Sequence, residues 1–220
     1  MSTLIKICGL TSAELADAAV SAGADALGIN FVPGSPREVP VSIAREVVAA
    51  VDGRARTVAL FANAPAVDVH AVAKAVGPDW LQFHGQESAD YCRHFRLPWL
   101  KALPAQDGLE AVAGRYPDAR GYLVDAVGDG HFGGSGERFD WSLWPSLARR
   151  PASAAAAPQW FLAGGLTPSN VGAAVRALRP DWVDVSSGVE GPQRGLKCPE
   201  RMRAFVAATR AADEDLQRTR

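Results

Sequence analysis

The sequence predicts a closed (β/α)8 barrel, and three observations carry that prediction. Short β-prone apolar runs alternate with helical segments eight times along the chain. Such alternation argues for a parallel sheet, and eight repeats argue for a closed barrel over an open one. The length, 220 residues, is that of a lean barrel with a substantial core. The last two strand-like runs each stop at small residues, around Gly164-Gly165 and Ser186-Ser187-Gly188, where barrels of this kind grip phosphate. A doubly wound fold would normally carry its glycine-rich phosphate loop after the first strand. There the chain reads Cys8-Gly9-Leu10-Thr11, too short for a dinucleotide fingerprint. Residues 1–220 are read as one barrel domain.

Leu4–Cys8 is the first strand, and Thr11 or Ser12 can cap the helix expected over Ser12–Ala22. In that helix Leu15, Ala18, Ala19 and Ala22 recur at helical spacing. Gly23-Ala24-Asp25 breaks it ahead of the strand Ala26–Phe31. The loop Val32–Pro40 holds three prolines and Arg37, too many breakers for regular structure. The pattern then predicts helix Val41–Val51, strand Arg56–Phe61, helix Pro65–Val76, strand Trp80–Phe83 and helix Gln86–Phe95. Strand Trp99–Ala102, a short helix Gly108–Arg115 and strand Gly121–Asp125 follow. Ala126–Arg138 is glycine-rich and longer than a typical βα loop, as expected of a mobile active-site element. Trp141–Arg150 is read as helix and Pro151–Pro158 as a low-complexity connector. Strands starting at Trp160 and Trp182, with helices Pro168–Leu178 and Pro199–Ala212, close the barrel. The charged tail beyond Ala212 is expected to fray.

Composition narrows the function. Lys plus Arg total 23 against 24 Asp plus Glu, which gives no support to nucleic acid or an anionic membrane surface as partner. Three scattered cysteines make neither a disulfide framework nor a zinc site. Neither a secretory signal nor an apolar run of the ~20 residues that span a bilayer is present. A cytoplasmic protein, monomer or homodimer, is expected. The histidines 70, 84, 94 and 131 have no ligand spacing, so neither metal nor cofactor is called for.

Catalytic groups of a barrel sit where its strands end, here at Cys8, Asn30, Phe61, His84, Ala102, Asp125, Gly164 and Asp184. Cys8 and Asp125 can move protons, and strands one and six face each other across the mouth. Cys8 is a base only as a thiolate, which nearby Lys6 or Arg37 would favour. Its alternative role is that of a small buried hydrophobe, the reading kept for Cys92 and Cys198. Asp125 ends an apolar run, where desolvation would favour a general acid; it could equally cap a backbone N–H. Arg37 could clamp a carboxylate with two parallel bonds or be a solvated surface arginine. His84 could bond a sugar hydroxyl or order its loop. Asp184 could point into the mouth or into a salt-bridged core. Gly164, Gly165, Ser186, Ser187 and Gly188 would offer N–H and hydroxyl donors to a phosphate. A base, an acid and a phosphate grip suffice for a cofactor-free isomerase acting on a small phosphorylated compound.

The chain also resembles the phosphoribosylanthranilate isomerase family. The likeness lies in Lys6-Ile-Cys-Gly-Leu-Thr11, Gly28-Ile-Asn-Phe31 with Ser35-Pro-Arg37, Gln82-Phe-His-Gly85 with Glu87, and Val124-Asp125. It continues through Gly133–Gly136, Phe139-Asp-Trp141, Leu162–Leu166 with Pro168 and Asn170-Val171, and Asp184–Glu190. These stretches run the length of the chain in the family's order. The resemblance implies an Amadori rearrangement of N-(5-phosphoribosyl)anthranilate in tryptophan biosynthesis, with Asp125 as acid and Cys8 as base. Arg37 would then hold the anthranilate carboxylate, and the two last loops the phosphate. The chain departs from the family at Phe83, usually leucine, and at Gly191–Cys198, where Cys198 replaces an aspartate. Rival readings are an indole-glycerol-phosphate synthase, which would need catalytic lysines beyond Lys6 and Lys101, a sugar-phosphate epimerase, and a non-catalytic phosphate sensor.

Overall fold

The computed structural model describes residues 2–105, 108–125, 141–144 and 157–218. Eight parallel strands close into a barrel in chain order: β1 (Leu4–Cys8), β2 (Ala26–Asn30), β3 (Arg56–Phe61), β4 (Trp80–Phe83), β5 (Trp99–Pro104), β6 (Gly121–Asp125), β7 (Gln159–Leu162) and β8 (Trp182–Val185). Parallel pairing of β1 with β8, Lys6 opposite Asp184, completes the ring. Around it lie α1 (Ala13–Ala22), α2 (Val41–Val51), α3 (Ala66–Val76), α4 (Ala89–Arg93), α5 (Leu109–Ala113), α6 (Val171–Leu178) and α7 (Pro199–Arg218).

Successive strand residues face opposite ways, so each strand divides its side chains between two cores. Ala26, Val58, Trp80, Leu100, Leu123, Phe161 and Trp182 fill the barrel interior. Ile5, Ile7, Leu27, Leu81, Phe83, Val124 and Val183 pack outward beneath the helices. The same alternation sends Lys6, Cys8, Asn30, Gln82, Asp125 and Asp184 inward, toward the C-terminal ends of their strands.

Most predicted elements are observed, and the differences have local causes. Ser12 caps α1, its Oγ accepting from Leu15 N. The fourth helix is shorter than Gln86–Phe95 because Gln86 N donates to Asn63 Oδ1 and Glu87 is bonded to Lys101. Ser88 then caps α4 through Tyr91 N. The helix expected from Pro168 starts at Val171, since Asn170 Oδ1 accepts from Thr167 N and its Nδ2 donates to Gly165 O. The expectation of a frayed tail is corrected: α7 continues to Arg218. Asp213 is buried there and accepts from both Thr3 N and Thr3 Oγ1 at 2.8 Å. Of the predicted Trp141–Arg150 helix, Trp141–Leu143 is a 3-10 turn, and residues 145–150 lie outside the described residues. The long glycine-rich loop and most of the alanine-rich connector also lie outside them. Among the described residues, no helix is long and apolar enough to cross a membrane.

Candidate active site

A cavity of about 540 Å³ opens at the C-terminal ends of the strands. Cys8, Asn30, Arg37, His84, Asp125 and Asp184 line it together with Gln82 and Ser186. A second cavity of about 310 Å³ adjoins it, lined by Gly164, Gly165 and Ser187 and sharing Asp125, Asp184 and Ser186 with the first. Two predicted strand-end positions fall elsewhere. Phe61 stacks on Phe31, with ring centroids 5.4 Å apart, and Ala102 belongs to the barrel interior.

Cys8 is held in one place by its surroundings. A Cβ at Gly28 would lie 2.6 Å from its sulfur, so only glycine at that register position of β2 leaves the thiol room. Ser186 Oγ donates to the Cys8 carbonyl at 3.0 Å. Neighbouring positive charge does pull this thiol down, through Lys6 as expected and Lys197 in place of Arg37, but it does not set the balance. Burial pushes it up, Lys6 and Lys197 pull it back, Asp184 adds to the rise, and the balance stays above the ordinary thiol value. Desolvation outweighs the ammonium because the sulfur is almost wholly out of water. Cys92 packs in the outer core, where burial takes it to about 12. Cys198 donates to Glu200 Oε2 at 3.2 Å ahead of α7.

Asp125 and His84 form a pair, with 3.3 Å between Oδ2 and Nε2. Gln82 Nε2 lies 3.1 Å from His84 Nδ1. With the amide donating, Nδ1 accepts and the imidazole proton sits on Nε2, facing the carboxylate. Beside the two sequence alternatives for His84, a sugar hydroxyl or its own loop, the structure adds a third partner, the Asp125 carboxylate. The loop carrying His84 is tied from below. Lys101 faces outward from β5 and donates to Phe83 O, Gly85 O and Glu87 Oε2.

Arg37 is buried, which removes the solvated alternative. Its Nε donates to Glu190 Oε1 at 2.5 Å, leaving Nη2 buried without a partner among the described residues. Glu190 also accepts from Lys197 Nζ at 2.8 Å and Gly195 N at 3.0 Å. These bonds outweigh burial and hold its carboxyl down at about 2. Burial pulls Lys197 below its usual value even though Glu190 pushes it up. Two cations share one anion, so this cluster carries surplus positive charge beside the cavity and suits an anionic ligand.

The phosphate-type loops touch each other. A Cβ on Gly188 would sit 1.9 Å from Leu166 O, and Gly164 and Gly165 adopt φ of +79° and +62°. These backbones meet at distances a side chain would forbid. After Ser186 the chain makes a 3-10 turn, Ser187–Val189. Asp184 satisfies both of its sequence alternatives, since it lines the cavities and bonds Lys6 Nζ at 2.7 Å.

Comparison with known proteins identifies this architecture. The chain matches the family model described as PRAI, N-(5'phosphoribosyl)anthranilate (PRA) isomerase, over residues 5–208. The chain belongs to this family. It is 47% identical over 219 residues to the N-(5'-phosphoribosyl)anthranilate isomerase of Dechloromonas aromatica, covering 98% of this chain and 100% of that protein. It is 46% identical over 213 residues to the isomerase of Pseudomonas aeruginosa strain LESB58, covering 96% and 97%. The crystal structure of phosphoribosyl anthranilate isomerase from Thermotoga maritima superposes with a TM-score of 0.84 at 31% identity, over 95% of this chain and 99% of that one. A phosphoribosyl anthranilate isomerase in complex with reduced 1-(o-carboxyphenylamino)-1-deoxyribulose 5-phosphate superposes with a TM-score of 0.80 at 30% identity, over the same shares.

Within this isomerase fold, sequence reasoning gave no role to Gln82, Glu190 and Lys197. Gln82 and Glu190 stood inside recognised motifs, but a motif does not say which side chains meet. Lys197 follows Glu190 by seven residues, and only the turn back onto the Val32–Pro40 loop brings both to Arg37.

Proposed function

We propose that this chain converts N-(5-phosphoribosyl)anthranilate to 1-(2-carboxyphenylamino)-1-deoxyribulose 5-phosphate by general acid–base catalysis, with Asp125 as acid and Cys8 as base. The observation that carries the assignment is that these two groups line one cavity, adjoined by the glycine- and serine-lined loops and flanked by Arg37. Asp125 gives its proton to the furanose ring oxygen. The C1–O bond breaks and the anthranilate nitrogen's lone pair forms the Schiff base. Cys8 then takes the C2 proton, and the electrons left behind neutralise the nitrogen to give an enolamine. That enolamine gains a proton at C1 as its C2 hydroxyl loses one, leaving the ketone. Arg37 holds the anthranilate carboxylate through the guanidinium edge that Glu190 leaves free. Backbone N–H groups at Gly164, Gly165 and Gly188, with the hydroxyls of Ser186 and Ser187, hold the phosphate. Asp184 and His84 border the sugar. The reaction needs no metal or cofactor by this reading, and residues 1–220 act as one barrel domain, as a cytoplasmic monomer or homodimer.

The test is the decay of anthranilate fluorescence when the purified chain meets freshly made phosphoribosylanthranilate. Enzyme-dependent decay, lost in Cys8→Ala, is expected. A rate equal to spontaneous breakdown would overturn the proposal.

A further inference from the structure

Inside the barrel, inward side chains stack in layers from one end of the strands to the other. Lys6 and Cys8 both face inward from β1, two residues apart, and the ammonium and the thiol interact directly. Asp184 faces inward from β8 as the register partner of Lys6. Lys6 is fully buried, and its Nζ lies 2.7 Å from Asp184 Oδ1. Stability does not account for such a pair. Removing two charges from water costs several kcal/mol per ion, and a packed apolar pair of similar volume does as well or better. Elsewhere the interior is built in that cheaper way, from side chains such as Val58, Leu100, Leu123 and Phe161.

We propose that Lys6 and Asp184 are a charge-balancing pair that sets the basicity of Cys8, the ammonium stabilising the thiolate and the carboxylate restraining it. Lys6 is then a positioning residue that acts through Cys8 and never meets the substrate. The thiol cannot drift from the ammonium, because Gly28 defines the space for its sulfur and Ser186 holds its carbonyl. Lys6 is the strongest cationic influence on Cys8, and Asp184 opposes it. Other charged and titratable groups also face the thiol. Lys197 approaches from the segment after β8 and Arg37 from the loop after β2, and both are engaged by Glu190. His84 and Asp125 line the same cavity from the ends of β4 and β6. Asp184 lines both cavities, so an unpaired carboxylate there would also repel a phosphate in the smaller one. Lys6 neutralises it.

This inference rests on Cys8 being the base, and its deciding test, a thiol titration, is read on the protein alone. Thiolate absorbance in the ultraviolet is followed as pH rises, with the Cys8→Ser chain subtracted. Lys6→Gln is expected to move the Cys8 titration to higher pH, and Asp184→Asn to lower pH. Lys6→Arg, which keeps the positive charge, titrates below Lys6→Gln. In turnover at neutral pH, Lys6→Gln loses roughly tenfold or more in kcat, and its pH profile moves with the thiol. An unchanged or upward shift in Asp184→Asn, or an unchanged titration in Lys6→Gln, would overturn the proposal. If Lys6→Gln does not fold, Asp184→Asn decides alone by the same criterion. Absence of isomerase activity in the parent chain would sink the reading of the reaction without altering the titration, so the two failures are distinguishable.

Discussion

At the scale of single residues, the site works by placing groups where water cannot equalise them. General acid–base groups contribute ~10²–10⁴-fold to turnover, so Cys8→Ala and Asp125→Asn should each lose that much kcat with an unchanged circular dichroism spectrum. Wild-type turnover in either variant removes that residue from the mechanism. Glu190 makes a different prediction, on stability. Its carboxyl falls from 4.5 to about 2 on folding. A depressed carboxylate stabilises the fold above its unfolded value, and that contribution is lost as pH falls through the folded value. Urea midpoints should therefore drop between pH 4.5 and about 2, and Glu190→Gln should flatten that part of the profile. Because the variant leaves Arg37 and Lys197 buried without their shared anion, it should also cost about 3–5 kcal/mol at neutral pH. A wild-type slope retained in the variant would assign the acid sensitivity to other groups.

At the scale of elements, strand alternation decides what reaches the mouth and glycines decide how closely it packs. Gly28→Ala places a carbon 2.6 Å from the Cys8 sulfur and 3.0 Å from its Cα. The thiol must move, and misplacement by about 1 Å can cost ~10²-fold. The expected outcome is a large fall in kcat with the protein still folded, read from steady-state kinetics and near-ultraviolet dichroism together. Gly188→Ala drives a carbon into Leu166 O and so separates the two phosphate-type loops. It should raise KM for the phosphorylated substrate more than it lowers kcat; an unchanged KM would take the phosphate away from these loops.

At the scale of the whole molecule, the barrel is closed twice. Hydrogen bonds close the sheet between β1 and β8, and α7 closes the outer layer by returning Asp213 to Thr3. Both Thr3 donors are buried with the carboxylate, and a buried donor left unpaired costs about 1–3 kcal/mol. Asp213→Ala should lower unfolding stability by that order without changing KM, as measured by urea titration. A loss of activity at unchanged stability would mean that α7 does more than close the ring.

The sequence by itself determined the fold class, because period-two and period-3.6 patterns are local and eight repeats of them leave few ways to bury every apolar face. It also determined which residues could carry chemistry, since strand ends and glycine clusters are visible in the chain. Cys8, Asp125, His84 and Asp184 were legible as candidates in that way, and Arg37 by its place in a proline-rich loop. Tertiary structure alone decided how these groups are paired. Arg37 meets Glu190 across 153 residues and Lys6 meets Asp184 across 178, separations at which no spacing rule operates. It alone decided the state of Cys8 as well, because the thiol's charge depends on how completely water is excluded from it. That exclusion is a property of the closed barrel and of no segment within it.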